Sequence, residues 1–246
     1  MKISIITVVY NNITSIEKCL MSVANQSYDH IEHIVIDGGS FDGTIDIIKK
    51  YSDNIDIFIS ESDRGIYDAL NKGISIASGD VIGFLHSDDE FFDKNVLMNV
   101  ANNFLESDID AMYANLQYVN GSQIVRSWYS SAYSKSSIFF GWMPPHPTLY
   151  LKSSIYKDIG NFSLHYNISA DYEFICRLFS IERYNISYFD IFLVKMHVGG
   201  ASNASLNNII LKMKEDLSIM RKYSKNSLFT LICKNLRKLP QFFIRT

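Results

Sequence analysis

The chain has 246 residues, 47% of them hydrophobic and 20% charged, with a formal net charge of −3. This is ordinary for a soluble globular protein of one large domain or two small ones, and the charge argues against a nucleic-acid partner. Cys19, Cys176 and Cys233 are far apart and form no CxxC pair, so neither a zinc site nor a disulfide framework is indicated and a reducing, cytoplasmic setting fits best.

The elements alternate through the first half. "ISIITVV" is a β-branched run suited to a strand buried on both faces. Thr14 and Glu17 have capping-box spacing before a helix carrying Ile16, Leu20 and Val23. "HIVID" is a second strand, and Asp42 can cap the helix "GTIDIIKKY" after it. "IDIFIS" is a third strand. The helix "IYDALNKGISIAS" follows, with Ile66, Leu70, Ile74 and Ala77 on one face, and "DVIGFL" is the fourth strand. Strands alternating with helices predict a mainly parallel α/β sheet.

The second half is less regular. "DAMYANLQYVN" and "SQIVRSWY" read as a hairpin turning at Asn120-Gly121. "HPTLYLK" is strand-like, "SADYEFICRLFSIERY" is a helix with Asp171 in its first turn, and "ISYFDIFLVKMHV" is a strand ended by Gly199-Gly200. The remainder is basic and mostly helical. "KISIITVVY" at the start is too short and too β-branched for a signal peptide, and no apolar run reaches the roughly 18 residues of a membrane span.

An open parallel sheet binds ligands beyond the carboxyl ends of its strands. Those ends supply Thr7, Val9 and Tyr10; then Asp37, Gly38 and Gly39; then Glu61, Asp63 and Arg64; and last Ser87, Asp88 and Asp89. Turn chemistry alone explains one or two acids at such places. Acids at three of the four ends point to a divalent cation, Mg²⁺ or Mn²⁺, shared with the phosphates of a substrate. No GxxxxGK[ST] and no GxGxxG is present, which excludes a P-loop and the dinucleotide fingerprint.

"SIITVVYN", "VIDGGSFDGT", "ESDRGIYDALNKGISIASGDVIGFLHSDDEF", "HPTLYLKSSIYKDIGNF" and "SADYEFICRLF" occur in the order seen in family 2 glycosyltransferases. Over about residues 1–200 the chain resembles bacterial members that build cell-surface polysaccharides, including lipopolysaccharide and O-antigen. The resemblance implies a GT-A fold, a Rossmann-like, mainly parallel mixed sheet flanked by helices. It also implies a nucleotide-sugar donor, Mn²⁺ or Mg²⁺, and inversion at the anomeric carbon. A UDP-sugar is the favoured donor, with GDP- and dTDP-sugars as alternatives, and the acceptor is a glycan or a polyprenyl-diphosphate-linked sugar.

Matched position by position, Thr7, Val9, Tyr10 and Asp37 take the places that hold the nucleoside. Gly38 stands where the family often has a second aspartate. Asp63 and Arg64 match a loop closing over the nucleotide, and Lys72 a basic residue near the diphosphate. In the family's Asp-x-Asp motif, His86 replaces the first acid, Ser87 follows, and Asp88 takes the ligand position. Asp89 is a second candidate ligand, whereas Glu90 is expected to face water. Asp171 falls where the family places its catalytic base; Ala170 replaces the usual Glu, and Glu173 lies two residues on. A carboxylate suits that task because the acceptor hydroxyl must lose a proton as the transferred sugar becomes cation-like. His146 is placed near the acceptor or the ion, and His197 in a region that sometimes supplies a metal ligand.

These matches divide the chain into 1–204, a catalytic domain with a nucleotide-sugar half (1–112) and an acceptor half (113–204), and a tail, 205–246. The tail holds nine lysines and arginines against two acids, leaving 14 basic and 24 acidic residues in the body. In it Phe229, Leu231, Ile232, Leu236, Leu239, Phe242 and Phe243 mix with Lys234, Arg237, Lys238 and Arg245. Such a segment can lie on the anionic inner face of the cytoplasmic membrane, or pack on the body or on another subunit in a homodimer. Two other functions remain open: a sugar-phosphate nucleotidyltransferase and a non-catalytic nucleotide-sugar-binding protein.

Overall fold

The computed structural model describes residues 1–198, 206–224 and 226–237. The β-branched run at the start forms the sheet's centre. β1 (Ile3–Val9) is buried at every position. Strand alternation sends Ile6 and Val8 to one apolar layer and Ile3 and Ile5 to the other, and helices cover both. β1 pairs in parallel with β2 (Ile31–Asp37) and β4 (Val81–Phe84), and β2 pairs in parallel with β3 (Ile57–Ser60). The connecting helices are α1 (Ile16–Ala24), α2 (Thr44–Lys50) and α3 (Ile66–Ile76).

The second half adds β5 (Asp89–Phe91), α4 (Val96–Glu106), β6 (Ala111–Asn120), β7 (Gln123–Trp128), α5 (Lys135–Phe139), β8 (Tyr150–Lys152) and α6 (Ser153–Ile159). It ends with α7 (Ala170–Phe179), β9 (Ile186–His197), α8 (Leu206–Tyr223) and α9 (Ser227–Leu236). Strand order is β3-β2-β1-β4-β8-β6-β9-β5, with β7 paired to β6. β8 runs antiparallel to β4 and β6, and β9 parallel to β6, so the sheet is mixed. The chain winds outward from β1 to β2 and β3, then returns to place β4 on the other side of β1. In open sheets ligands bind beyond the strand ends at such a reversal of strand order.

Several local expectations are corrected. α1 begins at Ile16 after Ser15 with no side-chain cap, and the Thr14 hydroxyl turns instead to Asn12. Ile66 is exposed, while Tyr67 and Gly73 join Leu70 and Ile74 on the buried face of α3. The Asp42 carboxylate does accept from the Thr44 amide, at 3.0 Å, at the start of α2. The hairpin forms as expected, with Gly121 at φ +59. "HPTLYLK" divides into a 3₁₀ turn, His146–Thr148, and the short β8. β5 and α4 are additional to the elements expected from the sequence. β5 has three residues, and a strand that short carries little periodicity of its own. Gly199-Gly200, the strand stop read from the sequence, lies outside the described residues.

Candidate active site

The loops at the ends of β1, β2 and β4 lock to one another through short polar side chains. Asn11 takes a positive φ of 47, its amide donates to Ser40 Oγ at 2.8 Å, and its side chain accepts from the Phe41 amide at 2.9 Å. Asn12 Nδ2 donates to Ser87 Oγ at 2.9 Å and so ties the β1 end to the β4 end. Tyr10 and Phe41, both exposed, meet edge to face at 6.3 Å.

Three expected nucleoside contacts face inward. The Thr7 hydroxyl is buried at 3.1 Å from His33 Nε2. The Val9 side chain packs with Ile16, Leu20, Val35 and Ile48, and its carbonyl accepts from the Gly38 amide. Asp37 is fully buried: its carboxylate accepts from the Gly39 and Ser40 amides at 3.0 Å, from Ser60 Oγ at 2.7 Å and from Ser40 Oγ. These groups shape the loop, and their side chains have no free edge for a ligand.

Tyr10, Gly38 and Asp63 lie side by side instead. A Cβ added at Gly38 would lie 2.5 Å from Asp63 Oδ2 and 3.3 Å from the Tyr10 ring. A side chain at position 38 would therefore have to displace the Asp63 carboxylate, which stands in that space. The other Asp63 oxygen accepts from the Gly65 amide at 2.8 Å. Arg64 pairs with Asp68 at 3.1 Å. Lys72 bonds Glu61 at 2.9 Å and the Ser62 carbonyl at 3.2 Å, holding the loop after β3 rather than standing free over a diphosphate.

At the β4 end the chain turns sharply, with the Asp89 amide bonded to the His86 carbonyl at 2.9 Å. Asp88 is half-buried and Asp89 is enclosed. β5 alternation puts Asp89 on the packed side with Phe91, and neither carboxyl oxygen finds a donor. Burial, and then the charge of Asp88, push the Asp89 carboxyl well above its usual range. Asp88 is the better-placed ligand candidate, because it is half-open where Asp89 is enclosed on the packed side of β5. Glu90 is not simply solvated: Glu90 Oε1 meets His197 Nε2 at 2.9 Å, which engages that nitrogen against the expectation of a metal ligand.

Among the described residues no three His, Cys, Asp or Glu side chains form a ready metal cage. The donor set still fits an ion held by one carboxylate, with substrate phosphates completing the shell. Asp88 would hold it.

The far wall comes from the second half. His146 is buried, stacked on Phe84 at 5.3 Å, and its ring lies 6.1 Å from that of His86. Burial takes His146 down to about 4, against the opposing charge of Asp171. Burial also lowers His86, and the charges of Asp88 and Asp171 both oppose this. His86 Nδ1 and His146 Nε2 are buried without partners.

Asp171 opens the first turn of α7, and Tyr67 on α3 donates from its hydroxyl to the Ile168 carbonyl at 2.7 Å and Asp171 Oδ1 at 3.1 Å. Tyr67 was not singled out in the sequence, although it lies within "ESDRGIYDALNKG". Glu173 is engaged by Tyr223 at 3.1 Å and Arg177 at 3.2 Å, so it does not double the base.

The family model for glycosyl transferase family 2 matches residues 4–175, most of this chain. The chain belongs to glycosyl transferase family 2. A PGL/p-HBAD biosynthesis glycosyltransferase of Mycobacterium bovis (strain BCG / Pasteur 1173P2) is 29% identical over 216 residues, 85% of this chain and 82% of that protein. An uncharacterized glycosyltransferase of Mycobacterium tuberculosis (strain ATCC 25618 / H37Rv) is 33% identical over 179 residues, 71% of this chain and 68% of that one. Among solved structures, S. aureus TarS 1-349 in complex with UDP-GlcNAc superposes with a TM-score of 0.67 at 20% identity, over 94% of this chain and 69% of TarS 1-349. The mannosyltransferase PcManGT from Pyrobaculum calidifontis, in complex with GDP-Man and Mn²⁺, gives a TM-score of 0.67 at 14% identity, over 98% and 70%. At these identities the two structures speak for the fold: this family 2 glycosyltransferase has the GT-A architecture, with C-terminal helices added.

Proposed function

We propose that this glycosyltransferase is inverting and metal-dependent, and moves a sugar from a nucleotide-sugar, a UDP-sugar first, to a glycan or polyprenyl-diphosphate-linked acceptor of surface polysaccharide assembly. The observation that carries the reading is the ring contact joining the two halves: His146 lies 6.1 Å from His86 and 5.4 Å from Phe162, and Phe162 packs at 5.8 Å on Tyr67, which bonds Asp171. Asp88 follows His86 in the sequence on one side of these ring contacts, and Asp171 bonds Tyr67 on the other. Asp88 holds the cation, which when bound neutralises the leaving diphosphate. Tyr10 and Asp63 line the nucleoside end, and the Asp63 carboxylate occupies the space beside Gly38. Asp171 takes the proton of the acceptor hydroxyl. That hydroxyl attacks the anomeric carbon opposite the diphosphate, which inverts configuration. UDP-, GDP- and dTDP-sugars screened with and without Mn²⁺ test the donor. In Asp171→Asn we expect transfer to fall by about 10³-fold, a general-base loss, with nucleotide binding unchanged. Full turnover in that variant would rule Asp171 out.

The tail supports a membrane-surface location. On α8 both acids, Glu215 and Asp216, are buried, whereas Lys214, Arg221 and Lys222 are exposed. Ile209, Ile210 and Met213 on α8 and Leu228, Phe229, Ile232 and Leu236 on α9 are exposed apolar residues. Basic charge mixed with exposed apolar side chains suits an anionic lipid face, where a lipid-linked acceptor would be met. No helix among the described residues is long and apolar enough to cross a membrane. Flotation with vesicles containing phosphatidylglycerol should carry the protein, and Ile232→Asp with Leu236→Asp should release it. Equal flotation of that variant counts against the lipid surface. Lys238, Leu239, Phe242, Phe243 and Arg245, read from the sequence as part of this segment, lie outside the described residues.

A further inference from the structure

The loop before α7 is held by a carboxylate that comes from the C-terminal extension. Glu215 on α8 is buried, and Oε1 accepts from the Asn167 amide at 2.8 Å. Its Oε2 accepts from the Ile168 amide at 3.0 Å and the Ser169 amide at 2.9 Å. These three consecutive N–H groups run directly into the first turn of α7. One carboxylate serving three successive amides holds their backbone in one arrangement, and charge-assisted bonds of this kind are the strong ones. The same loop is gripped from the other side by Tyr67, which bonds the Ile168 carbonyl and Asp171 Oδ1.

Two neighbouring contacts join the same turn to the extension. Tyr223 of α8 donates to Glu173 at 3.1 Å. Lys234 of α9 lies 3.3 Å from the centre of the Tyr172 ring and is paired with Asp216 at 2.7 Å, both buried. Tyr172 and Glu173 are the residues immediately after Asp171, so α8 and α9 brace the turn on which it stands.

We propose that Glu215 is a positioning residue for the acceptor-side carboxylate: it holds the 167–169 backbone so that Asp171 and the Tyr67 hydroxyl keep their mutual geometry. The inference rests on the reading of Asp171 as the base. It makes the extension part of the working site, and it gives Glu215 an effect on turnover that ordinary anchoring of a helix would not have. Misplacing a reacting group by about 1 Å costs on the order of a hundredfold in rate, and donor binding at the opposite wall does not share that cost.

The test uses the full chain with Glu215→Ala and Glu215→Gln, Ile219→Val as a stability control on the same helix, and Asp171→Asn as the reference. Turnover is followed as nucleotide release from the donor that the sugar-nucleotide screen identifies, and nucleotide binding as the affinity for UDP with Mn²⁺. Glu215→Gln keeps the side chain's size and remains foldable where Ala fails. We expect kcat to drop roughly tenfold to a hundredfold in the Glu215 variants, with donor KM and UDP affinity within about twofold of the parent. Hydrogen exchange should quicken at the amides of residues 167–169. Ile219→Val should lose thermal stability and keep its kcat. A parental kcat in both Glu215 variants, beside an inactive Asp171→Asn, overturns the positioning role alone. So does a kcat loss in Ile219→Val matching that of Glu215→Gln at equal loss of stability. Full activity in Asp171→Asn removes the base reading, and this inference with it.

Discussion

The two walls of the proposed site are built differently. The wall proposed for the nucleotide is local: Asp37 serves Gly39, Ser40 and Ser60, Asp42 serves Thr44 and Ile13, and Asn11 serves Ser40 and Phe41. Each loop is closed by polar side chains of its own or the adjacent strand end. The wall proposed for the acceptor is assembled from afar: Asp171 bonds Tyr67, about a hundred residues earlier, and its loop bonds Glu215, more than forty residues later. Loops of the first kind can keep their shape while the rest of the chain varies. A wall of the second kind exists only when the whole domain, extension included, is folded.

The largest effect expected from that contrast is at the distant wall. Lys234 and Asp216 form a buried ion pair under Tyr172. Asp216→Ala leaves the Lys234 ammonium buried and unpaired and should cost about 3–5 kcal/mol, whereas Asp216→Leu with Lys234→Met should cost little or nothing. Urea unfolding of the three proteins checks this, and equal stability of the single and double variants would break the account of the brace.

The nucleotide wall carries a pH dependence of its own. His33 on β2 is buried against Thr7, and burial takes it from 6.5 down to about 4. The folded state holds His33 neutral, so its contribution is present above pH 6.5 and is lost as the pH falls from 6.5 towards 4. Linkage sets the size of that loss at about 3 kcal/mol. In His33→Gln the slope of stability against pH across this window should flatten. An unchanged slope would assign the window to other groups.

The smallest effect is the sharpest probe of locality. Gly38→Ala puts a Cβ 2.5 Å from Asp63 Oδ2 and must displace that carboxylate. Nucleotide affinity should fall by about tenfold, the worth of one hydrogen bond to a charged group, with the fold and the Asp171 turn unaffected. Calorimetry with UDP and Mn²⁺ reads this directly, and parental affinity would remove Asp63 from the nucleoside site.

Legibility in the sequence follows the same division. The parallel strands, their helices and the hairpin were readable because apolar period and turn residues are local signals. β5 has only three residues, and the sequence carried no pattern for it. Among site residues, Asp63 and Asp88 stand where the strand-end rule puts them. Thr7, Val9 and Asp37 lie at the same ends with their side chains turned inward, a matter of alternation and loop closure that position along the chain does not reveal. Glu90 and His197 are separated by 107 residues, and their pairing had no signal at all.

The sequence by itself determined the family, the sheet type and the edge at which the acids gather, because motif order and hydrophobic period are written residue by residue. Tertiary structure alone decided which carboxylates are free. It enclosed Asp37 and Asp89, left Asp88 half-open, stood Asp63 in the space above Gly38, and brought Glu215 beneath the turn of Asp171. Those outcomes depend on burial and on donors supplied by distant segments, and only the packed chain brings these together.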